Sequence, residues 1–216
     1  MDAIKRHDAT RPIPPSVAVL EGDDPTAAAI IAAAVEMMAR HGYHGTSVRD
    51  IADAAKISPG ALYHHFTSKH DLLVTILDRI MDALVQHTED ALFHADPAPA
   101  ERLRAIVEQH VLAHTRGRRE SLLGNTELRS LSPHARALIV SKRDAQQRMF
   151  DRVIHDGVSQ GVFTTPHPKE AARMITTACT AVATWFRETG PQSPTEIATI
   201  YQQMALDTVG HRREER

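Results

Sequence analysis

Residues 42–69 read GYHGTSVRDIADAAKISPGALYHHFTSK, and this stretch decides the fold. Two short helices are written into it, 48–55 and 59–66, separated by Lys56, Ile57 and Ser58 alone. Thr46 or Ser47 stands where a side-chain oxygen can cap the free N–H groups of the first helix. Ser58 does the same for the second, with Pro59 at a position where a missing N–H costs nothing. Helices of two turns are marginal in isolation, so these two must pack on something. Val48, Ile51, Ala52, Ala55, Ile57, Leu62 and Phe66 supply one apolar interior, with Ala52 small where two helix axes approach. A tight pair with a short, half-exposed second helix follows the logic of a helix-turn-helix that enters the major groove of DNA.

The exposed face of the second helix carries Gly60, Ala61, Tyr63 and His64. Thr46, Ser47, Ser58, Tyr63 and Lys69 are the hydroxyls and the cation that phosphate contacts require, and Lys56 adds a charge at the turn. His65, one position from His64, reads as a packed or capping residue. The charge count does not help: residues 1–73 hold seven Lys/Arg against nine Asp/Glu. A nucleic-acid surface here depends on where the charges sit, assisted by partial positive charge at two helix N-termini.

Working outward, the rest of the chain also reads as helices. An N-cap residue is followed by Pro at Asp24-Pro25, Ser58-Pro59, Asp96-Pro97, Ser132-Pro133 and Ser193-Pro194, and Gly42, Gly117 and Gly190 read as stops. Helices are expected at 25–41, 48–55, 59–66, 69–93, 97–115, 119–129, 133–160, 168–189 and 194–209. Alternating β-branched runs are absent and aromatics make up 4%. The fold class is all-α: an N-terminal three-helix helix-turn-helix domain at 24–70, then a helical second domain at 71–216. Residues 1–23 are expected to form a disordered arm, and 211–216 a charged tail.

The run is similar to the DNA-binding domain of the TetR family of one-component transcriptional repressors. It carries Gly42-Tyr43, then Thr46 to Ala52 as TSVRDIA, then Ser58, Gly60, Leu62, Tyr63, His65, Phe66, Ser68 and Lys69. The departure is Lys56, where the family's turn usually has glycine. The resemblance implies a homodimer on a palindromic double-stranded DNA operator, with the last two helices of each protomer building a shared bundle. It places Met174, Ala178, Ala181, Ile197, Ile200, Tyr201 and Met204 at the two-fold interface, although the same stripes would serve an internal core. It also implies a small-molecule effector in the second domain.

A second, shorter likeness concerns that effector. Gly157, Gly161 and Phe163, followed by Trp185, Phe186, Arg187 and Gly190, resemble the branch of the family that senses acyl-CoA thioesters. The expected pocket is lined by Ile106, His110, Met149, Cys179, Val182, Trp185 and Phe186. Lys142, Arg143, Gln147 and Arg148 would suit CoA phosphates, or form a solvated helix face. His110 and His114 have the i, i+4 spacing of a metal pair but no third ligand, so no metal and no cofactor are expected. Cys179 reads as a buried structural thiol.

Other classes find little support. One cysteine excludes a disulfide framework and points to a reducing cytoplasm. No apolar run approaches the length of a membrane span. Phosphate-loop and nucleophile-elbow motifs are missing, so no enzyme is expected. The competing class is a helical ligand-binding or interaction protein without DNA binding.

Overall fold

The computed structural model describes residues 16–211. The helices, in order, are α1 (Pro25–His41), α2 (Val48–Ala54), α3 (Pro59–His65), α4 (Lys69–His94), α5 (Pro99–Arg116) and α6 (Arg118–Thr126). A 3-10 turn at Glu127–Ser130 follows, then α7 (Pro133–Ser159), α8 (Pro168–Trp185) and α9 (Pro194–Thr208). Among the described residues there is no strand.

Four of the nine α-helices among the described residues start where a capping side chain precedes proline. Asp24 accepts from Thr26 and Ala27, Ser58 from Ala61, and Ser132 from Ala135. Ser193 and Glu196 form a reciprocal capping box at α9. Asp96 is the exception. Its carboxylate accepts from Ala98 N–H, which turns the chain once more, and α5 begins at Pro99 instead of at 97. The expected helix at 119–129 ends at Thr126, because buried Glu127 turns inward to accept from Ser130 Oγ at 2.7 Å. Helix α8 stops at Trp185, four residues early, where Phe186 leaves helical geometry at ψ 141° and is itself buried. Gly190 therefore lies beyond the helix and does not stop it. Gly117 has φ −95°, so it joins α5 to α6 without a left-handed cap.

Residues 1–15 and 212–216 lie outside the described residues. Residues 16–23, expected in a disordered arm, are instead anchored to α4. Ala18 is fully buried, and Arg79 of α4 donates to Ala18 O and to both carboxylate oxygens of Asp23.

Two apolar cores hold the molecule. One joins α1, α2 and α3 to Leu72, Leu73, Ile76 and Leu77 of α4, and it continues into Leu123, Leu131, Ala135 and Ile139. The other is built from α5, α8, α9 and the second half of α7. The first core thus crosses the expected boundary at residue 70, and α4 is shared between both regions.

Candidate DNA-reading face and effector cavity

In the helix-turn-helix, Ser47 caps α2 through a box with Asp50: each side chain accepts the other residue's backbone N–H. Ser58 accepts from Ala61 N at 3.2 Å. Both serines spend a lone pair on the cap, so each hydroxyl proton stays available at an exposed site. Lys56 sits at φ 58°, the left-handed region, as a turn without glycine requires. Gly60, Tyr63 and His64 are exposed along α3, Tyr63 at 55%. Ala61 is half-buried beside them. His65, expected to be packed or capping, is exposed as well, with its Nε2 3.6 Å from Asp24 Oδ1.

Two groups expected at phosphates are turned inward. Thr46 is buried, and its hydroxyl lies 2.9 Å from Gly42 O and 3.2 Å from Met37 O. Lys69 Nζ donates to Tyr43 O and Thr46 O at 2.9 and 2.8 Å and lies 4.2 Å from the centre of the Tyr43 ring. Together they staple the start of α4 to the α1–α2 connection. The reason is local: residues 42–46 leave carbonyls without helical partners, and these two side chains satisfy them.

The second domain holds a cavity of about 640 Å³ between α4, α5, α6, α7 and α8. Its apolar wall is Ile80, Met81, Ala83 and Leu84 of α4 with Leu112 and Ala113 of α5. Its polar wall includes His110, His114, Arg143, Gln146, Thr176 and Thr180. Of the expected pocket residues, only His110 lies here. Ile106, Cys179, Val182 and Phe186 fill the second core, one helix face away. Trp185 is exposed and stacks on Tyr201, and Met149 borders a separate surface groove. An apolar stripe marks which face of a helix is buried, without saying whether a helix or a void lies against it. The missed residues had a signal nonetheless. Gln146 and His110 are polar interruptions on the stripes Ile139–Phe150–Val153 and Leu103–Ile106–Val107.

His110 and His114 stack face to face, ring centres 4.4 Å apart. His114 Nδ1 donates to His110 O at 2.8 Å. Burial pushes the pKa of both rings down, His110 well below the usual 6.5, so the pair is neutral. No metal-holding group of three His, Cys, Asp or Glu side chains occurs among the described residues. Arg143 donates to Gly124 O at 2.7 Å and makes no ion pair among the described residues. Lys142, in contrast, is bound to Asp78 and Asp82 of α4 and is unavailable to a ligand. Burial drives the Cys179 thiol up to about 12, so it is inert as a nucleophile.

The outer face of α8 and α9 is apolar and uncovered. Met174, Ile200 and Met204 are exposed, as is Ala181, and Ala178 and Tyr201 are half-buried beside them. Ile197 departs from the expected interface set: at 2% exposure it belongs to the internal core. Ile200, one turn on and roughly 60° around α9, lies at the exposed edge of the same stripe.

A helix-turn-helix unit sharing one long helix with a helical, cavity-bearing domain defines a class of DNA-binding regulator. Residues 30–76 match the family model described as bacterial regulatory proteins, tetR family, and residues 96–209 match the Tetracyclin repressor-like, C-terminal domain. The chain belongs to the TetR family of transcriptional regulators. Among its relatives is the HTH-type transcriptional repressor KstR2 of Mycobacterium tuberculosis strain H37Rv. That protein is 29% identical over 175 residues, 80% of this chain and 87% of the relative. A bacterial regulatory protein in the tetR family from Rhodococcus RHA1 superposes with TM-score 0.83 at 34% identity, over 88% of this chain and all of that one. AibR, solved in complex with isovaleryl coenzyme A and operator DNA, superposes with TM-score 0.77 at 25% identity, over 87% of this chain and all of that one.

Proposed function

We propose that this chain is a one-component repressor that reads a palindromic operator as a homodimer and is released by an apolar, acid-bearing effector. The reading face is α3 with the turn before it: Ser47, Lys56, Ser58, Gly60, Ala61, Tyr63 and His64. The observation that carries the reading is the division of α4. Its first turns lie in the core of the DNA-reading unit, and its middle turn, Ile80 to Leu84, extends from that core to form the apolar wall of the cavity. An effector that wedges against Leu84 therefore moves the helix on which α3 rests. Release follows when the two α3 helices of a dimer no longer match successive major grooves.

Three features support the effector class. The cavity is apolar on the α4 side, Arg143 at the opposite wall lacks a counter-ion among the described residues, and a structural relative was solved with an acyl-CoA thioester. A carboxylate or phosphate at Arg143 supplies the missing charge. The uncovered α8–α9 face supports the homodimer, since a second copy buries Met174, Ile200 and Met204 together. Relatives named as repressors support a non-enzymatic, cytoplasmic role, and no helix among the described residues is long and apolar enough to cross a membrane.

The test is a gel shift on DNA flanking the chain's own coding region. A competitor-resistant shift that is lost on Tyr63→Ala and His64→Ala together supports the reading. No specific shift on any such fragment would favour a ligand-binding protein without DNA binding.

A further inference from the structure

The polar wall of the cavity holds two hydrogen-bonding groups whose directions can be worked out from their neighbours. Thr88 is fully buried and has one proton, which it donates to Leu84 O at 2.9 Å. The group of Gln146 that faces Thr88 Oγ1 at 2.8 Å must therefore donate, so it is the amide nitrogen. That nitrogen also lies 3.3 Å from His110 Nδ1, which accepts. The ring proton of His110 is consequently on Nε2, and it is donated to Thr180 Oγ1 at 2.9 Å.

The chain of donors ends with two groups unspent. Thr180 keeps its own hydroxyl proton, which has no partner among the described residues. Gln146 is 3% exposed, and its Oε1 is buried with no hydrogen-bond partner among them either. Gln146 lines the cavity, and a buried acceptor left without a partner is unfavourable, so an occupant beside it that can donate is favoured. An occupant that accepts from Thr180 and donates to Gln146 satisfies both groups. A hydroxyl does both with a single atom, whereas a ketone or thioester carbonyl can only accept, and an alkyl chain does neither.

We infer that the Gln146–His110–Thr180 relay is a specificity site for a hydroxyl group on the effector, and that the effector is a hydroxylated apolar acid. The inference rests on the effector reading above. Arg143 lies one helical turn before Gln146 on α7, which places the acid and the hydroxyl a few bonds apart. Thr176 and Thr180 continue the polar wall across α8, and the apolar remainder lies against Ile80 and Leu84.

Calorimetric titration of the full chain with tetradecanoate and with 3-hydroxytetradecanoate tests this. The two probes differ by one oxygen close to the carboxylate. The hydroxy acid is expected to bind about tenfold tighter, or ~1.4 kcal/mol. Gln146→Met and Thr180→Val each remove one half of the site with little change of shape. In either variant the ratio of the two dissociation constants should fall below about twofold. Because the ratio is taken within one variant, a general loss of cavity shape cancels. Equal affinities in the native chain, or a preference surviving both substitutions, would overturn the hydroxyl site while leaving the acid cavity standing. If neither acid binds, the acid-cavity reading fails and the hydroxyl site falls with it.

Discussion

Lys56 stands where the chain needs a positive φ and where a cation is useful, and the two demands conflict. A side chain in the left-handed region costs roughly 1–2 kcal/mol relative to glycine, while a lysine at that turn adds charge beside the DNA backbone. Lys56→Gly should therefore raise the thermal midpoint, by the equivalent of about 1 kcal/mol, yet weaken operator binding. Its plot of log affinity against log salt should be shallower by about one. Lys69 behaves in the opposite way. Its ammonium is spent on Tyr43 O, Thr46 O and the Tyr43 ring, so Lys69→Met should cost about 1–3 kcal/mol in chemical denaturation and leave the salt slope unchanged. Spacing alone sets Gly60, Tyr63 and His64 on the outer side of a short helix, so their exposure was legible in the sequence. The inward partners of Thr46 and Lys69 were not legible, because a hydroxyl or an ammonium reads the same whether its partner is a phosphate or a carbonyl up to 26 residues away.

The histidine pair makes a pH prediction at the same scale. Burial holds both rings below the ordinary 6.5, so the native state binds fewer protons than the unfolded chain once pH falls under that value. Stability from this pair is complete above pH 6.5 and declines as pH falls, until the depressed native values are reached. The slope is at most roughly 1.4 kcal/mol per pH unit for each ring. Urea unfolding at pH 7.5 and 5.5 should show the loss, and His110→Gln with His114→Gln should flatten it. An unchanged midpoint would mean that the pair is protonated in the native state.

At the scale of the element, the turn after α7 explains the glycine motif that resembled an acyl-CoA sensor. Gly161 adopts φ 72°, and both Val162 and Phe163 donate back to Gly157 O. A Cβ at Gly157 would overlap the Phe163 ring. The motif is thus a helix C-cap with a close ring-to-backbone contact, and it carries no ligand chemistry of its own. Gly157→Ala should force Phe163 out of the second core and cost about 1–3 kcal/mol, measurable by thermal unfolding, with Gly124→Ala as the tolerated control. Helix starts were legible because Ser-Pro and Asp-Pro act locally. Ends were less so: α8 stops where Phe186 turns into the core, a tertiary demand that four preceding residues do not encode. The cavity was illegible for the same reason, as it exists only where five helices leave space among them.

For the whole molecule, the proposed mechanism requires the helix shared by both regions to turn cavity occupancy into a displacement of α3, and a second copy on the uncovered α8–α9 face to turn one reading head into two. Met204→Asp places a charge on that face, and it should give monomers in sedimentation with operator affinity reduced at least tenfold. The single tryptophan reports the same event. Trp185 is exposed and stacked on Tyr201 in one protomer, so its emission should shift to the red when the Met204→Asp chain dissociates. An intact dimer in this variant would move the interface elsewhere.

Function as a repressor requires that two copies of α3, held at a fixed spacing, read DNA together. Selection of binding sites from a random-sequence duplex pool by the purified full chain tests this directly, because the operator sequence need not be specified beforehand. The expected product is an enriched palindrome whose half-sites repeat at about one helical turn, or a multiple of it, with the enrichment lost on Tyr63→Ala with His64→Ala. A pool that stays random after repeated rounds, or an enriched site without two-fold symmetry, would contradict paired reading by α3.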